Sequence, residues 1–263
     1  MTSYNSPPPL DWHAGRLKDR VIFVTGASSG IGGAAARLFA KEGAKVVLGA
    51  RRREMIDAIV EELKSEGHEA LAVTCDVRSE GSVAAAIRAT VLQFGRLDGA
   101  LNNAGIAGDH GPLHKHDLSR YDDYLQTNLR GVFACIKYEV QAMLETGGGA
   151  IVNTNSAAGL KGAPNNSLYC STKWGLTGLT RAAALDYADQ HIRINGIALG
   201  PVYSEIMDKL APDEEALTRM ASRFPMNFIA HPDDACRAAL FLLSDEARWT
   251  TGVTLACDGG ITL

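Results

Sequence analysis

Short, almost wholly apolar runs alternate with amphipathic stretches along nearly the whole chain. Val21–Thr25, Lys45–Gly49, Ala70–Cys75, Leu97–Asn102, Ala150–Asn155, Ile192–Ala198 and Thr254–Cys257 are rich in Val, Ile, Leu and Ala and read as strands. Between them, Gly32–Glu42, Arg53–Glu66, Ser79–Phe94, Ser119–Thr146, Ser167–Asp189 and Pro232–Leu243 carry apolar residues at helical spacing. Strands without polar alternation, separated by helices, predict an α/β fold. Seven parallel strands would form one doubly wound sheet with helices on both faces. No linker, charge run or internal repeat divides residues 15–263, so a single domain is expected there. Residues 1–14 hold Pro7-Pro8-Pro9 and no hydrophobic signal core, and are expected to be a flexible arm. The stretch from Gly200 to Asn227 reads as a long loop bearing Val202, Tyr203, Ile206, Met207 and Leu210, of the kind that binds ligands or closes over them.

Two local patterns carry chemistry. Thr25-Gly26-Ala27-Ser28-Ser29-Gly30-Ile31-Gly32 joins the first strand to the first helix. Glycines there let the backbone approach a pyrophosphate, and a helix N-terminus holds the anion. The spacing is Gly-x-x-x-Gly-x-Gly, and no Gly-Lys-Ser/Thr follows, which excludes a P-loop. Tyr169-Cys170-Ser171-Thr172-Lys173 puts a phenol and an ammonium one helical turn apart on one face. A lysine cation beside a phenol favours the phenolate and brings its proton toward neutral chemistry. Each pattern alone has an ordinary reading, a tight turn for one and a solvated helix face for the other.

Together these motifs resemble the short-chain dehydrogenase/reductase family, in register from about Leu17 to Ile261. Asn102-Asn103-Ala104-Gly105 resembles its turn after the fourth strand, and Asn128 its helix asparagine. Ser156 lies thirteen positions before Tyr169, as the family's serine does, and Asp258-Gly259-Gly260 resembles its C-terminal signature. The family's proline before Gly200 is Leu199 here, and its downstream threonine is best matched by Ser204. The resemblance implies a Rossmann domain and hydride transfer between a nicotinamide cofactor and a secondary alcohol or ketone. Tyr169 would be the general acid and base. Lys173 would lower its pKa and hold the nicotinamide ribose, Ser156 would bind the substrate oxygen, and Asn128 would anchor a proton-relaying water. Cofactor contacts are expected from Gly26, Ser28, Ser29, Gly30, Ile31, Gly32, Asp76, Val77, Asn103, Ala104, Gly105, Pro201, Val202 and Ser204, with Tyr169 and Lys173. Singly, Ser156 and Asn128 also fit turn chemistry, and Asp76 a helix cap. The rival readings are a cofactor-binding regulator without catalysis and an epimerase or dehydratase of the same fold.

The second strand ends Gly49-Ala50-Arg51-Arg52-Arg53. An acid at its end would bind the ribose 2′-hydroxyl of NAD. Ala50 stands there instead, and Arg51 can pair with a 2′-phosphate, so NADP is favoured with NAD as the alternative. Charged residues make up 21% of the 263 and the net charge is −4, which leaves no basic footprint for nucleic acid. No apolar run reaches ~18 residues, so no membrane span is expected. Five scattered cysteines suggest reduced thiols in a cytoplasm. Cys170 invites a nucleophile reading, but a small buried residue is favoured. His110, His114 and His116 read as a solvated loop, and no metal site is expected. The substrate pocket is expected from Ile106, Ala158, Leu160, Asn166, Leu168, Tyr203, Ile206 and Met207. Apolar and small residues in Tyr121–Leu144 and Ser171–Ala188, including Phe133 and Leu185, suggest covered helix faces, and the resemblance implies a homotetramer.

Overall fold

The structure, a computed structural model, describes residues 15–203 and 213–263. The expected arm at residues 1–14, and Ser204, Ile206, Met207 and Leu210, lie outside the described residues. The predicted strands form one parallel sheet: β1 (Val21–Thr25), β2 (Lys45–Ala50), β3 (Ala70–Thr74), β4 (Gly99–Asn102), β5 (Gly149–Ser156), β6 (Ile192–Leu199) and β7 (Thr254–Cys257). Their order is β3-β2-β1-β4-β5-β6-β7. Ile22 of β1 pairs with Val46 on one side and with Gly99 on the other. The winding reverses at this β1/β4 seam, where a doubly wound sheet opens a crevice at its carboxyl edge.

The helices are α1 (Gly30–Lys41), α2 (Arg53–Ser65), α3 (Glu80–Phe94), α4 (Leu118–Leu125), α5 (Gly131–Leu144), α6 (Ser167–Tyr187), α7 (Glu214–Ala221) and α8 (Pro232–Leu243). Successive strand residues feed opposite faces. Ile22, Val24, Val46 and Leu48 pack with Phe39 of α1, Ile56 of α2 and Leu240 of α8. Val21, Phe23 and Val47 pack with Val83 of α3, Val132 of α5 and Leu176 of α6. Each fully buried Val, Ile, Leu or Phe contributes about 1.5–3 kcal/mol at most. A sheet buried on both faces is why the strands lack polar alternation.

Two expectations need correction. Ser119–Thr146 is not one regular helix: a wider π-helical turn, Gln126–Arg130, separates α4 from α5. Gly131 ends that turn against Val77, where a Cβ would meet Val77 Cγ2 at 3.0 Å. The Gly200–Asn227 stretch is not loop throughout, because α7 lies within it. Asp213 caps α7 by accepting from Ala216 N at 2.8 Å, and Glu214 and Glu215 sit in its first turn, where acids are stabilised by the helix dipole. The cap before α3 is Ser79, which accepts from Ser82 N at 3.3 Å, rather than Asp76.

Candidate active site

The glycine turn is held against the turn after β4 by interlocking bonds. Thr25 Oγ1 accepts from Asn103 N at 3.0 Å and from Ala104 N at 3.1 Å. Asn103 Nδ2 donates to Thr25 O at 3.3 Å and Gly26 O at 3.4 Å. Gly26 has φ +67°, and a Cβ on it would lie 2.9 Å from Ala104 Cα. α1 then starts with no acid in its first turn, and its N-cap Ser29 makes no side-chain cap bond. That leaves a helix N-terminus suited to an anion beside backbone that only glycine permits.

A cavity of about 500 Å³ opens there. Of the expected cofactor residues it gathers Gly26, Ser28, Ser29, Arg51, Asp76, Val77, Asn103, Ala104 and Gly105, and Ala50 and Ile106 line it too. Gly30, Ile31 and Gly32 form the first turn of α1 rather than the cavity wall. Pro201 lines a separate apolar cavity, and Val202 pairs with Ala230. Sequence reasoning missed Arg52, Arg78 and Arg120, which also line the cavity. Arg52 Nη2 donates to Ser28 Oγ at 2.8 Å and Ser29 Oγ at 3.0 Å, so it, not Arg51, spans from β2 to the glycine turn. The Arg78 guanidinium bonds Asp76 at 2.9 Å and holds its carboxyl below the usual range.

Tyr169 and Lys173 share one face of α6, with Nζ 5.4 Å from the ring centroid. Lys173 is buried and donates to Thr154 O of β5 at 2.7 Å. Burial lowers its pKa to about 8, still above neutrality, so the ammonium form prevails at pH 7. Burial pushes the Tyr169 phenol up to about 12, opposed by the nearby Ser156 hydroxyl, while Tyr124 and Cys170 push it further up. Burial thus opposes the lowering expected from Lys173. Ser156 Oγ accepts from Ala158 N at 3.2 Å, the turn contact its ordinary reading expects. The Ser156 strand is tied to α6 by Asn155 Nδ2 donating to Thr177 Oγ1 at 2.7 Å.

Asn128 sits fully buried in the π-helical turn. Its Oδ1 accepts from Ile106 N at 2.8 Å and its Nδ2 donates to Ile106 O at 2.9 Å, which pins the chain just past Gly105. Tyr124 is a residue that sequence reasoning did not flag. It is fully buried, its hydroxyl accepts from Asp109 N at 3.0 Å, and its ring meets Tyr169 edge-on at 6.3 Å and 84°. A tyrosine at an apolar helix position reads as core, so no signal distinguished it. His116 Nε2 bonds Gly111 O at 2.9 Å inside the expected histidine loop, and no group of three metal-binding side chains gathers among the described residues. Cys170 is half-buried on α6, so it is not the fully buried residue expected.

A family model described as enoyl-(acyl carrier protein) reductase matches residues 26–262. The chain is 44% identical over 253 residues to an A-factor type gamma-butyrolactone 1′-reductase (1S-forming) of Streptomyces virginiae, covering 95% of this chain and 98% of the relative. It is 42% identical to a cis-4-hydroxycyclohexanecarboxylate dehydrogenase of Sinomonas cyclohexanicum, covering 93% and 97%. The crystal structure of levodione reductase superposes with a TM-score of 0.87 at 35% identity, covering 94% and 98%. Likeness of this depth over nearly every residue, on a sheet and motif set of this kind, means that the chain belongs to the short-chain dehydrogenase/reductase family.

Proposed function

We propose that Tyr169 is the general acid and base, and Ser156 the oxygen-binding donor, of an oxidoreductase that interconverts a secondary alcohol and a ketone. Oxidoreduction at a CH–OH group with a nicotinamide cofactor is the activity of this family and of this chain. A nicotinamide, when bound, supplies or accepts the hydride. The observation that carries the assignment is the face that Tyr169 shares with buried Lys173 on α6, with Nζ 5.4 Å from the phenol ring centroid. In reduction, Tyr169 gives its proton to the substrate oxygen while Ser156 donates to the same oxygen, as an oxyanion donor does. In oxidation, Tyr169 takes the alcohol proton. Lys173 would hold the nicotinamide ribose and supply a nearby positive charge. The Asn128 side chain is committed to Ile106, so the relay water it is proposed to hold would fall to its main chain. Loss of absorbance at the reduced-nicotinamide band with a panel of ketones tests the reading.

The turn at Gly26 and the uncapped start of α1 would hold a cofactor pyrophosphate, and Arg51 and Arg52, which line the same cavity, would hold a 2′-phosphate. NADP is therefore the proposed cofactor. Arg51→Ala is expected to lower kcat/KM for NADPH by ~10-fold, the scale of one charge-assisted bond, and to leave NADH within a few-fold. Ala50→Asp should move preference toward NADH. A wild type that prefers NADH outright overturns this reading.

The names of the two relatives above carry a lactone ring and a cyclohexane ring, so a ketone or alcohol on or beside a small ring is the proposed substrate class. A homotetramer is proposed from Phe133, Trp174 and Leu185, which stand exposed on α5 and α6. Light scattering at micromolar concentration should return four subunits, and a monomer overturns it. No described helix is long and apolar enough to cross a membrane, and a cytoplasmic site of action is proposed.

A further inference from the structure

A buried carboxyl that the chemistry above does not use sits behind the site. Glu139 of α5 is fully buried. Its Oε2 accepts from Asn102 Nδ2 at 2.9 Å. The same Nδ2 donates to Asn153 Oδ1 of β5 at 3.1 Å, and Asn153 Nδ2 donates to Thr180 Oγ1 of α6 at 3.0 Å. One polar chain thus joins α5, β4, β5 and α6. These elements matter to catalysis: β4 leads into Asn103-Ala104-Gly105, β5 ends at Ser156, and α6 carries Tyr169 and Lys173.

Two atoms of this chain are left over. Glu139 Oε1 and Asn102 Oδ1 are both buried, and neither has a hydrogen-bond partner. Both are acceptors if the carboxyl is ionised, and they belong to two planar groups already joined through Nδ2 and Oε2. An uncompensated buried carboxylate and a lone buried amide oxygen would each be costly. One proton on Oε1 removes the charge and supplies the missing donor. Turning the Asn102 amide over does not remove the need, because that puts oxygen against oxygen. We propose that Glu139 is held as the neutral acid and closes a two-hydrogen-bond ring with Asn102, making it a positioning residue for the four elements that carry the site.

The surroundings agree. The charged or titratable groups that share its field are the thiols of Cys135, one turn back on α5, and Cys75, next after β3. Burial keeps both thiols protonated, and Glu139 raises them further. Asn102, Asn153 and Thr180 are uncharged. Burial pushes Glu139 up to about 8, with Asn102's donated bond pulling the other way. The folded chain therefore binds this proton more tightly than the unfolded one. Its stabilising contribution is complete below the ordinary carboxylate range and is lost as pH rises through about 8.

Glu139→Gln tests this, because a glutamine offers the neutral acid's donor and acceptor but never ionises. Melting temperatures of the full-length wild type and the variant should be close near pH 5. They should part by at least ~5 °C by pH 9, with the variant the more stable. Infrared difference spectra at pH 6 should contain a protonated-carboxyl band that is absent from the variant and fades in the wild type above pH 8. At pH 9 the variant should keep more of its pH 7 kcat than the wild type does. Parallel melting curves, no such band, or a glutamine variant that fails to fold would each overturn the proposal. The inference takes the roles of Ser156, Tyr169 and Lys173 from the reading above. The melting and infrared measurements do not, so they stand even if that reading fails.

Discussion

Replacing Tyr169 with phenylalanine is expected to lower kcat by at least ~10²-fold, the low end for removing a general acid and base. The substitution deletes one oxygen and little else. The ring keeps its edge-on contact with Tyr124 at 6.3 Å and its place 5.4 Å from Lys173 Nζ. What disappears is the hydroxyl beside Ser156 and the proton it carries. Because the phenol does not line the cleft around the glycine turn, the Kd for NADPH should stay within about threefold, read by fluorescence titration. Retention of kcat within a few-fold of wild type would remove Tyr169 from the mechanism. A loss of both kcat and cofactor binding would point to a collapsed site.

Gly32→Ala should abolish usable cofactor binding, raising the Kd for NADPH by at least ~10²-fold, about 2.7 kcal/mol. A Cβ there would stand 2.3 Å from Gly26 O and 2.8 Å from Asn103 Nδ2. Neither neighbour can move freely, since Gly26 is backbone and Asn103 Nδ2 is bonded to Thr25 O and Gly26 O. Relief must come by pushing the whole turn, which typically costs about 1–3 kcal/mol for an overpacked site and displaces the backbone proposed to meet the pyrophosphate. Gly30→Ala is the control. Nothing lies within 4 Å of its Cβ, and only its φ of +54° is unfavourable, so its melting temperature should fall by a few degrees at most. Calorimetric titration of both variants checks this. Wild-type affinity in the Gly32 variant would mean that the turn is looser than these distances imply.

The strands were legible because their sheet is buried on both faces, so each left an unbroken apolar run such as Val21-Ile22-Phe23-Val24. The shared helix face of Tyr169 and Lys173 was legible from their spacing, and Ser156 at a strand end from the family resemblance. Other features depend on what the fold brings near, which a linear pattern does not encode. The phenol's upward shift comes from burial, and the tie from Arg52 to Ser28 and Ser29 joins the end of β2 to a turn 24 positions earlier. Glu139 sits in an amphipathic stretch where an acid reads as solvated, yet its helix turns that position toward Asn102. The π-helical turn at Asn128 leaves no compositional trace. α7 is different, because the Asp213-Glu214-Glu215 start is a readable cap that the expectation of a long loop obscured.

The seam between β1 and β4 has a bearing on how the chain matures. Thr25 and Asn103, whose bond at 3.0 Å clamps the cofactor turn, are 78 positions apart. β2 and β3 can line up beside β1 early, from neighbouring sequence, and bury α1 and α2. The glycine turn in that fragment has no Asn103 side chain to hold it and no Ala104 amide for Thr25 Oγ1 to accept. Parallel pairings this far apart close slowly, because loop-closure entropy must be met before any contact rewards it. On a ribosome, the nucleotide cleft would therefore be completed late, after β4 has emerged and crossed the first half. An amino-terminal fragment ending before β4 would carry the glycine motif intact and still lack a finished cleft.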